Sequence, residues 1–193
     1  GKFSLYGNNG SKFNMFGFNF NDHVNYENIS ELQWKSIGLG SEFILIPTGS
    51  PVLIEGNAAY SSYNISLNEE AAPLRESGIN GFNMGVDFTH FQRKGKIKYG
   101  VDINGFSTDF TTYNSVNAKI EQFENTSEIS GYINYQFKGN RWIVEPGFRI
   151  QKYTLQDNLS AFSPEPRLGI KYIASERIRL KIASGIYSQN ILS

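Results

Sequence analysis

The feature that most constrains this chain is a two-residue alternation of apolar and polar side chains, repeated in run after run. Alternation at that period puts successive side chains on opposite faces of a β-strand. Across 81–91, Phe82, Met84, Val86 and Phe88 share one face, against Gly81, Asn83, Gly85, Asp87 and Thr89. Across 97–104, Ile97, Tyr99, Val101 and Ile103 oppose Lys98, Gly100, Asp102 and Asn104. Ile129, Ile133, Tyr135 and Phe137 oppose Ser130, Asn134, Gln136 and Lys138. Toward the carboxyl end, Ile178, Leu180, Ile182 and Ile186 oppose Arg177, Arg179, Lys181 and Gly185.

Short and long connections alternate between these runs. Asn8-Asn9-Gly10, Pro47–Pro51, Arg93–Lys96, Lys138–Arg141 and Ala174–Arg177 have the chemistry or length of hairpin turns. Longer polar stretches lie at about 27–31, 68–77, 113–126 and 155–163. The spacing predicts ten strands, near 2–6, 11–26, 32–46, 52–67, 78–92, 97–112, 127–138, 141–154, 164–174 and 177–190. They form five hairpins, with tight turns at one end and long loops at the other.

Most of these runs exceed the ~5–6 residues typical of a soluble sandwich. A propeller would show four short strands per repeat and a Gly-His or Trp-Asp signature, which are missing. A transmembrane β-barrel needs strands of at least ~9–11 residues, apolar outward and polar inward, with short turns, long outer loops and aromatic girdles. The expected fold is therefore all-β, an antiparallel transmembrane β-barrel wall of about ten strands over 1–193. Tyr6, Phe43, Phe91, Tyr99, Phe137, Trp142 and Tyr172 fall near the short turns and read as one girdle. Tyr26, Trp34, Tyr60, Phe110, Tyr153 and Tyr187 fall toward the loops and read as the other.

Composition removes several functions. There is no cysteine, which excludes disulfide frameworks, thiol nucleophiles and Cys-based zinc sites. Eighteen basic and eighteen acidic residues cancel, against a nucleic-acid partner recruited by bulk charge. His23 and His90 are the only histidines, and Asp87 and His90, three apart on one strand, face opposite sides. No Gly-x-Ser-x-Gly, P-loop or His-Glu-x-x-His motif occurs, so no catalytic residue, metal site or cofactor is expected.

Residues 163–193, SPEPRLGIKYIASERIRLKIASGIYSQNILS, resemble the mid-barrel of TonB-dependent outer-membrane receptors. In that family a Pro-Arg-Leu strand, a tight turn and a strand ending in Gly-x-Tyr-Ser-Gln recur. Ser130–Phe137 followed by Trp142–Tyr153, with Gly147-Phe148-Arg149, resembles the preceding hairpin. The ending is most similar to receptors carrying a carboxypeptidase-regulatory-like domain. The resemblance is specific over about 128–193 and architectural over 1–127. It implies part of a barrel of about 22 strands closed by a plug. No plug, TonB-contact segment or terminal aromatic is present, and both outermost strands would be left unpaired. The sequence is thus expected to be an internal segment of a longer chain. A complete ten-stranded barrel is the alternative.

The resemblance further implies gated, energy-coupled uptake of a scarce solute across a bacterial outer membrane. Its partners would be outer-membrane lipid, the chain's own plug, TonB through an absent segment, and surface lipoproteins or complex subunits. Two rivals are a receptor-like barrel serving as a structural subunit of an outer-membrane assembly or secretion complex, and a small barrel enzyme of the outer-membrane protease type. With apolar residues toward lipid, the lumen receives Glu145, Arg149, Arg167, Lys171, Arg177, Arg179 and Lys181. Glu145, Arg149 and Arg167 are read together as a plug contact or as the lining of a hydrated channel. Tyr113 and Phe123, in a long polar loop, are the outer capture candidates. The overall neutrality conceals two sectors: residues 1–137 carry nine basic against fourteen acidic groups, and residues 138–193 nine against four.

Overall fold

The computed structural model describes residues 1–26, 30–69, 72–114, 116, 118–155 and 160–188. Among them are ten strands and no helix: β1 Lys2–Tyr6, β2 Lys12–Tyr26, β3 Ser30–Leu45, β4 Val52–Glu69, β5 Ala72–Gln92, β6 Gly95–Tyr113, β7 Lys119–Lys138, β8 Trp142–Leu155, β9 Ser160–Ile173 and β10 Arg179–Gly185. Each strand pairs antiparallel with its sequence neighbours, in unbroken order from β1 to β10. The sheet is not closed. This is the fold of a β-barrel wall, as the alternation predicts.

Two expectations need correction. The stretches read as loops at 68–77 and 113–126 are mostly strand. β4 runs to Glu69 and β5 starts at Ala72, while β6 reaches Tyr113 and β7 begins at Lys119. Their polar side chains alternate around a continuous backbone ladder, which hides the strand from a reading based on apolar runs. Pro146 makes no bulge. The β7–β8 register is unchanged on either side of it, and the pairs at Tyr135 and Gln136 are simply missing, as expected where proline lacks an N–H. The one register shift among the described pairings lies between Leu67 and Glu69. Gly10 (φ 86°) and Gly49 (φ 75°) have left-handed backbones, and both sit in tight turns.

The two faces differ in crowding. Among the described residues, Asn14, Thr89, Thr126, Ser130, Gln151 and Glu165 are buried, and no hydrophobic side chain is. By register all six lie on the polar face, where side chains converge, so that face is the concave one. The convex face exposes Met15, Leu39, Met84, Val101, Ile129, Ile133, Leu168 and Ile182. Without an internal core, this wall depends on lipid to cover its apolar face.

Large rings lie over directly paired glycines on both faces. Phe16 covers Gly40 and Phe18 covers Gly38 on the concave side, and Phe43 covers Gly56 and Phe82 covers Gly105 on the convex side. A glycine opposite a ring lets the sheet bend while the ring restores the lost contact area.

Polarity reverses along the strands. On the convex face of β2, Phe13 and Met15 give way to Asn19, Asn21, His23 and Asn25. On β4, Ile54, Ala58 and Tyr60 give way to Ser62, Asn64, Ser66 and Asn68, and on β6, Tyr99, Val101 and Ile103 give way to Ser107, Asp109 and Thr111. The apolar band on β6 spans Ile97 to Gly105, close to the ~9–11 residues a tilted strand needs to cross the hydrocarbon. Beyond it the wall continues as a polar flange.

An arginine placed in the band is expected to destabilise the folded barrel. Val101→Arg in the full-length chain should cost about 2–4 kcal/mol, and Lys35→Arg, on the flange, less than about 1 kcal/mol. Denaturant unfolding in lipid vesicles checks this; equal costs would show that the band does not face lipid.

Candidate functional site: the concave wall

Near the short turns, the concave face is polar and its side chains are tied together across strands. Asn14 donates to Glu42 at 2.5 Å, and Lys12 lies 3.7 Å from the same carboxylate. Lys98 sits 3.0 Å from Asp87 and 4.0 Å from Glu55, while the Tyr132 hydroxyl donates to Asp87. The Asn57 amide donates to Asn83, and that of Asn83 to Asn104, linking β4, β5 and β6. Contacts of this sort fix a hydrated lumen wall more than they stabilise it, since half-exposed ion pairs contribute only ~0–1 kcal/mol each.

Glu145, Arg149, Arg167, Lys171, Arg179 and Lys181 share this face by register. Arg177 lies just before β10, in the turn where its N–H meets the Ser175 hydroxyl. Glu145, Arg149 and Arg167 each have a different partner within the wall. Glu145 accepts from Gln136, bridging the rungs missing at Pro146. Arg149 reaches Ser130 at 2.9 Å and Glu128 at 3.5 Å. Arg167 pairs with Glu165 at 2.5 Å and stacks 4.8 Å from the Tyr187 ring centroid. Each arginine thus has a carboxylate in the wall itself.

The residue missed by sequence reasoning is Glu165. It is only 2% exposed and accepts from both Arg167 and the Ser188 backbone N–H, at 2.9 Å. Its signal was Glu165-Pro166-Arg167: an acid and a base two apart on a strand lie on one face.

Lys171 and Lys181 are different. They are direct cross-strand partners, and no carboxylate lies within 4.0 Å of either among the described residues. They line a 310 Å³ cavity together with Glu145. Like charges placed opposite each other on a sheet are unfavourable, so this spot suits an anionic neighbour.

The capture candidates lie elsewhere. Tyr113 and Phe123 are on the convex face of the protruding β6–β7 hairpin, with Phe123 half-exposed. At its tip Asn114 caps the turn by accepting from the Val116 and Ala118 N–H groups. There the hydrogen bond and charge of Glu121, 2.5 Å away, raise the Lys119 ammonium pKa.

The girdles split unevenly. Phe43, Tyr99, Phe137, Trp142 and Tyr172 face outward near the turns, with Trp142 and Tyr172 rings 4.3 Å apart. Tyr6 and Phe91 face the lumen. Of the loop-side set only Tyr60 faces outward, whereas Tyr26, Trp34, Phe110 and Tyr153 turn inward, and Tyr187 packs on Arg167. The outer girdle is therefore replaced by an inward aromatic lining. Among the described residues no cluster of three or more metal-ligating groups is present. His90 is on the convex side and Asp87 on the concave.

A wall of similar fold occurs in solved structures. The ferric citrate transporter FecA, unliganded, is 12% identical, with a TM-score of 0.66 over 91% of this chain and 33% of that one. The Serratia marcescens hemophore receptor HasR, solved with its hemophore HasA and heme, is 8% identical, with a TM-score of 0.62 over 95% and 34%. BauA, the ferric preacinetobactin receptor from Acinetobacter baumannii, is 10% identical, with a TM-score of 0.62 over 92% and 37%. The chain spans about a third of the length of these structures. At such identities the likeness is one of fold. No family model matches the sequence, and no curated protein matches it either.

Removal of Glu165 should cost more than removal of Glu145. Glu165→Ala is expected to lose about 1–3 kcal/mol, because it strands Arg167 and a backbone donor. Glu145→Ala, more exposed, should lose less than about 1 kcal/mol. Unfolding midpoints in vesicles measure both.

Proposed function

We propose that this chain forms part of the barrel of a TonB-dependent receptor that admits a scarce solute through a bacterial outer membrane by gated, energy-coupled uptake. The supporting observation is the pairing of two surfaces: a convex apolar band at membrane-spanning length, and a concave wall lined with ordered polar groups. Walls of this fold belong to a transporter and two receptors of outer-membrane barrel type. The chemistry is passage rather than bond making, and no catalytic residue is assigned.

In this reading the lumen is filled by a plug carried elsewhere in the same chain. Arg149 and Arg167 are neutralised by Glu128 and Glu165, which leaves Lys171 and Lys181, beside Glu145, as the cationic seat for plug carboxylates. Arg177 and Arg179 extend the same positive margin toward the short turn. Tyr113 and Phe123, on the outside of their hairpin, would meet a surface lipoprotein or complex subunit before a solute in the lumen. That placement also supports the second reading, a structural subunit of an outer-membrane assembly. The polar flange, with a 340 Å³ hollow bordered by Lys35, Glu76 and Asp109, is suited to protein contact.

Accumulation of solute in cells that carry the full-length chain should stop when TonB is removed, while the barrel stays in the outer membrane. Accumulation unaffected by TonB would overturn the uptake reading. Lys171→Glu, which reverses a charge in the seat, is expected to loosen plug seating and raise passive entry of large antibiotics, whereas Glu145→Gln, which removes an acid beside the seat, should tighten it and lower that entry. Normal expression with unchanged antibiotic susceptibility in both variants would count against a plug seat there.

A further inference from the structure

The concave face changes character at about the height where the convex face leaves the apolar band. On β2, Lys12 and Asn14 are followed by Phe16, Phe18 and Phe20, and on β6, Lys98, Asp102 and Asn104 are followed by Phe106 and Phe110. On β4, Glu55 and Asn57 are followed by Tyr63, Ile65 and Leu67. The register runs through these points without a shift, so the backbone pleat is continuous and the side-chain pattern itself slips by one residue. Above the slip, water meets the outside of the wall and aromatic rings line its inside. Phe18 and Phe20 are 49% and 61% exposed.

At the slip lies a cavity of about 430 Å³. Its floor is made of small residues, Ala59 and Gly81, with Phe16 and Phe18, the latter lying across Gly38, on one side and Phe106 on the other. A Cβ added at Gly81 would find only ordinary contacts, 3.7 Å to the Gly105 carbonyl, 3.8 Å to the Ser61 hydroxyl and 3.9 Å to Phe106. The floor is thus low because the residue is small, not because a neighbour fills the space. No charged side chain lines the cavity, and the Asn83 and Asn104 amides at its edge already bond to each other. The volume lies in the range of small-molecule sites. An ion entering would shed water and find no partner, whereas an uncharged ring would stack on phenylalanine at little desolvation cost. The other two hollows differ in kind: one carries Lys35, Glu76 and Asp109, the other Lys171, Lys181 and Glu145. Lack of charge is therefore a property of this site and not of the wall.

We infer that this cavity is a binding site for the uncharged, planar ring of a solute arriving from the outer side, with Phe16, Phe18 and Phe106 as its walls and Gly81 as its floor. The site stands on its own geometry. Only the step from binding to passage rests on the uptake reading.

The test uses the full-length chain in nanodiscs, with indole as a neutral planar probe and indole-3-acetate as its charged counterpart. Binding is measured by equilibrium dialysis and corrected with empty nanodiscs. Indole should bind saturably, and indole-3-acetate at least about tenfold more weakly. Gly81→Leu fills the floor and should weaken indole by about tenfold or more. Phe18→Ala adds no bulk and should weaken it by roughly two- to tenfold. Gly131→Ala, on the convex face and with similar room for a Cβ, should leave indole binding unchanged. Heat-dependent gel mobility verifies that each variant is folded. No saturable indole binding, or equal binding by folded Gly81→Leu, would overturn the site. So would equal binding of the two probes. Indole binding that persists where TonB-dependent uptake is absent would overturn the uptake reading and leave the site standing.

Discussion

A single sheet with no hydrophobic interior has to take its stability from what lies against it. None of the hydrophobic side chains described is buried, yet Leu39, Val101, Ile133 and their neighbours form a continuous apolar surface. In water that surface would favour collapse or aggregation; against hydrocarbon it costs nothing, provided that every backbone N–H and C=O is paired within the sheet. The ladder from β1 to β10 meets that requirement between neighbouring strands except at the two rungs beside Pro146 and along its two outer edges, and the remaining features are adjustments to it. Rings over glycines let the sheet bend, and Gln136 with Glu145 spans the place where Pro146 leaves two rungs unmade.

The strands meet two solvents in succession. Within the band, lipid is outside and the ordered polar lumen inside. On the flange, water is outside and aromatic side chains face in. A strand that crosses this boundary has to exchange which of its faces is apolar, and a slip of one residue in the side-chain pattern does so with the hydrogen bonds unbroken. Phe13, Met15, Phe16 and Phe18 show the change within a few residues of β2.

Much of this was legible in the sequence. Period-two alternation and tight turns located all ten strands and assigned the faces of β5, β6, β7 and β10 within the band. Two features are hidden in a single phase of alternation. The flange looked like polar loops, since Asn64, Ser66 and Asn68 lie on its wet side while Tyr63, Ile65 and Leu67 lie on the other. The outer aromatics lie at girdle height along their strands, but parity turns Trp34 and Phe110 inward. The charged side chains of β8, β9 and β10 share the concave face by register, but which charges neutralise one another depends on register between strands. Arg149 with Glu128 and Arg167 with Glu165 could be paired only once β7, β8 and β9 were aligned. The charges at Lys171 and Lys181 coincide because β9 and β10 meet at that register, something neither strand reveals alone.

The strictly sequential strand order carries a kinetic meaning. Since each strand bonds only to the strands before and after it in the chain, every pairing closes a short loop, and the entropy of closure stays small at each step. Assembly can proceed hairpin by hairpin, each finished edge serving as template for the next arrival. The same order means that an incomplete sheet always presents two bare edges, able to pair with any extended peptide. The hazard in making such a wall lies less in finding the right neighbour than in keeping others away until the last edge is covered.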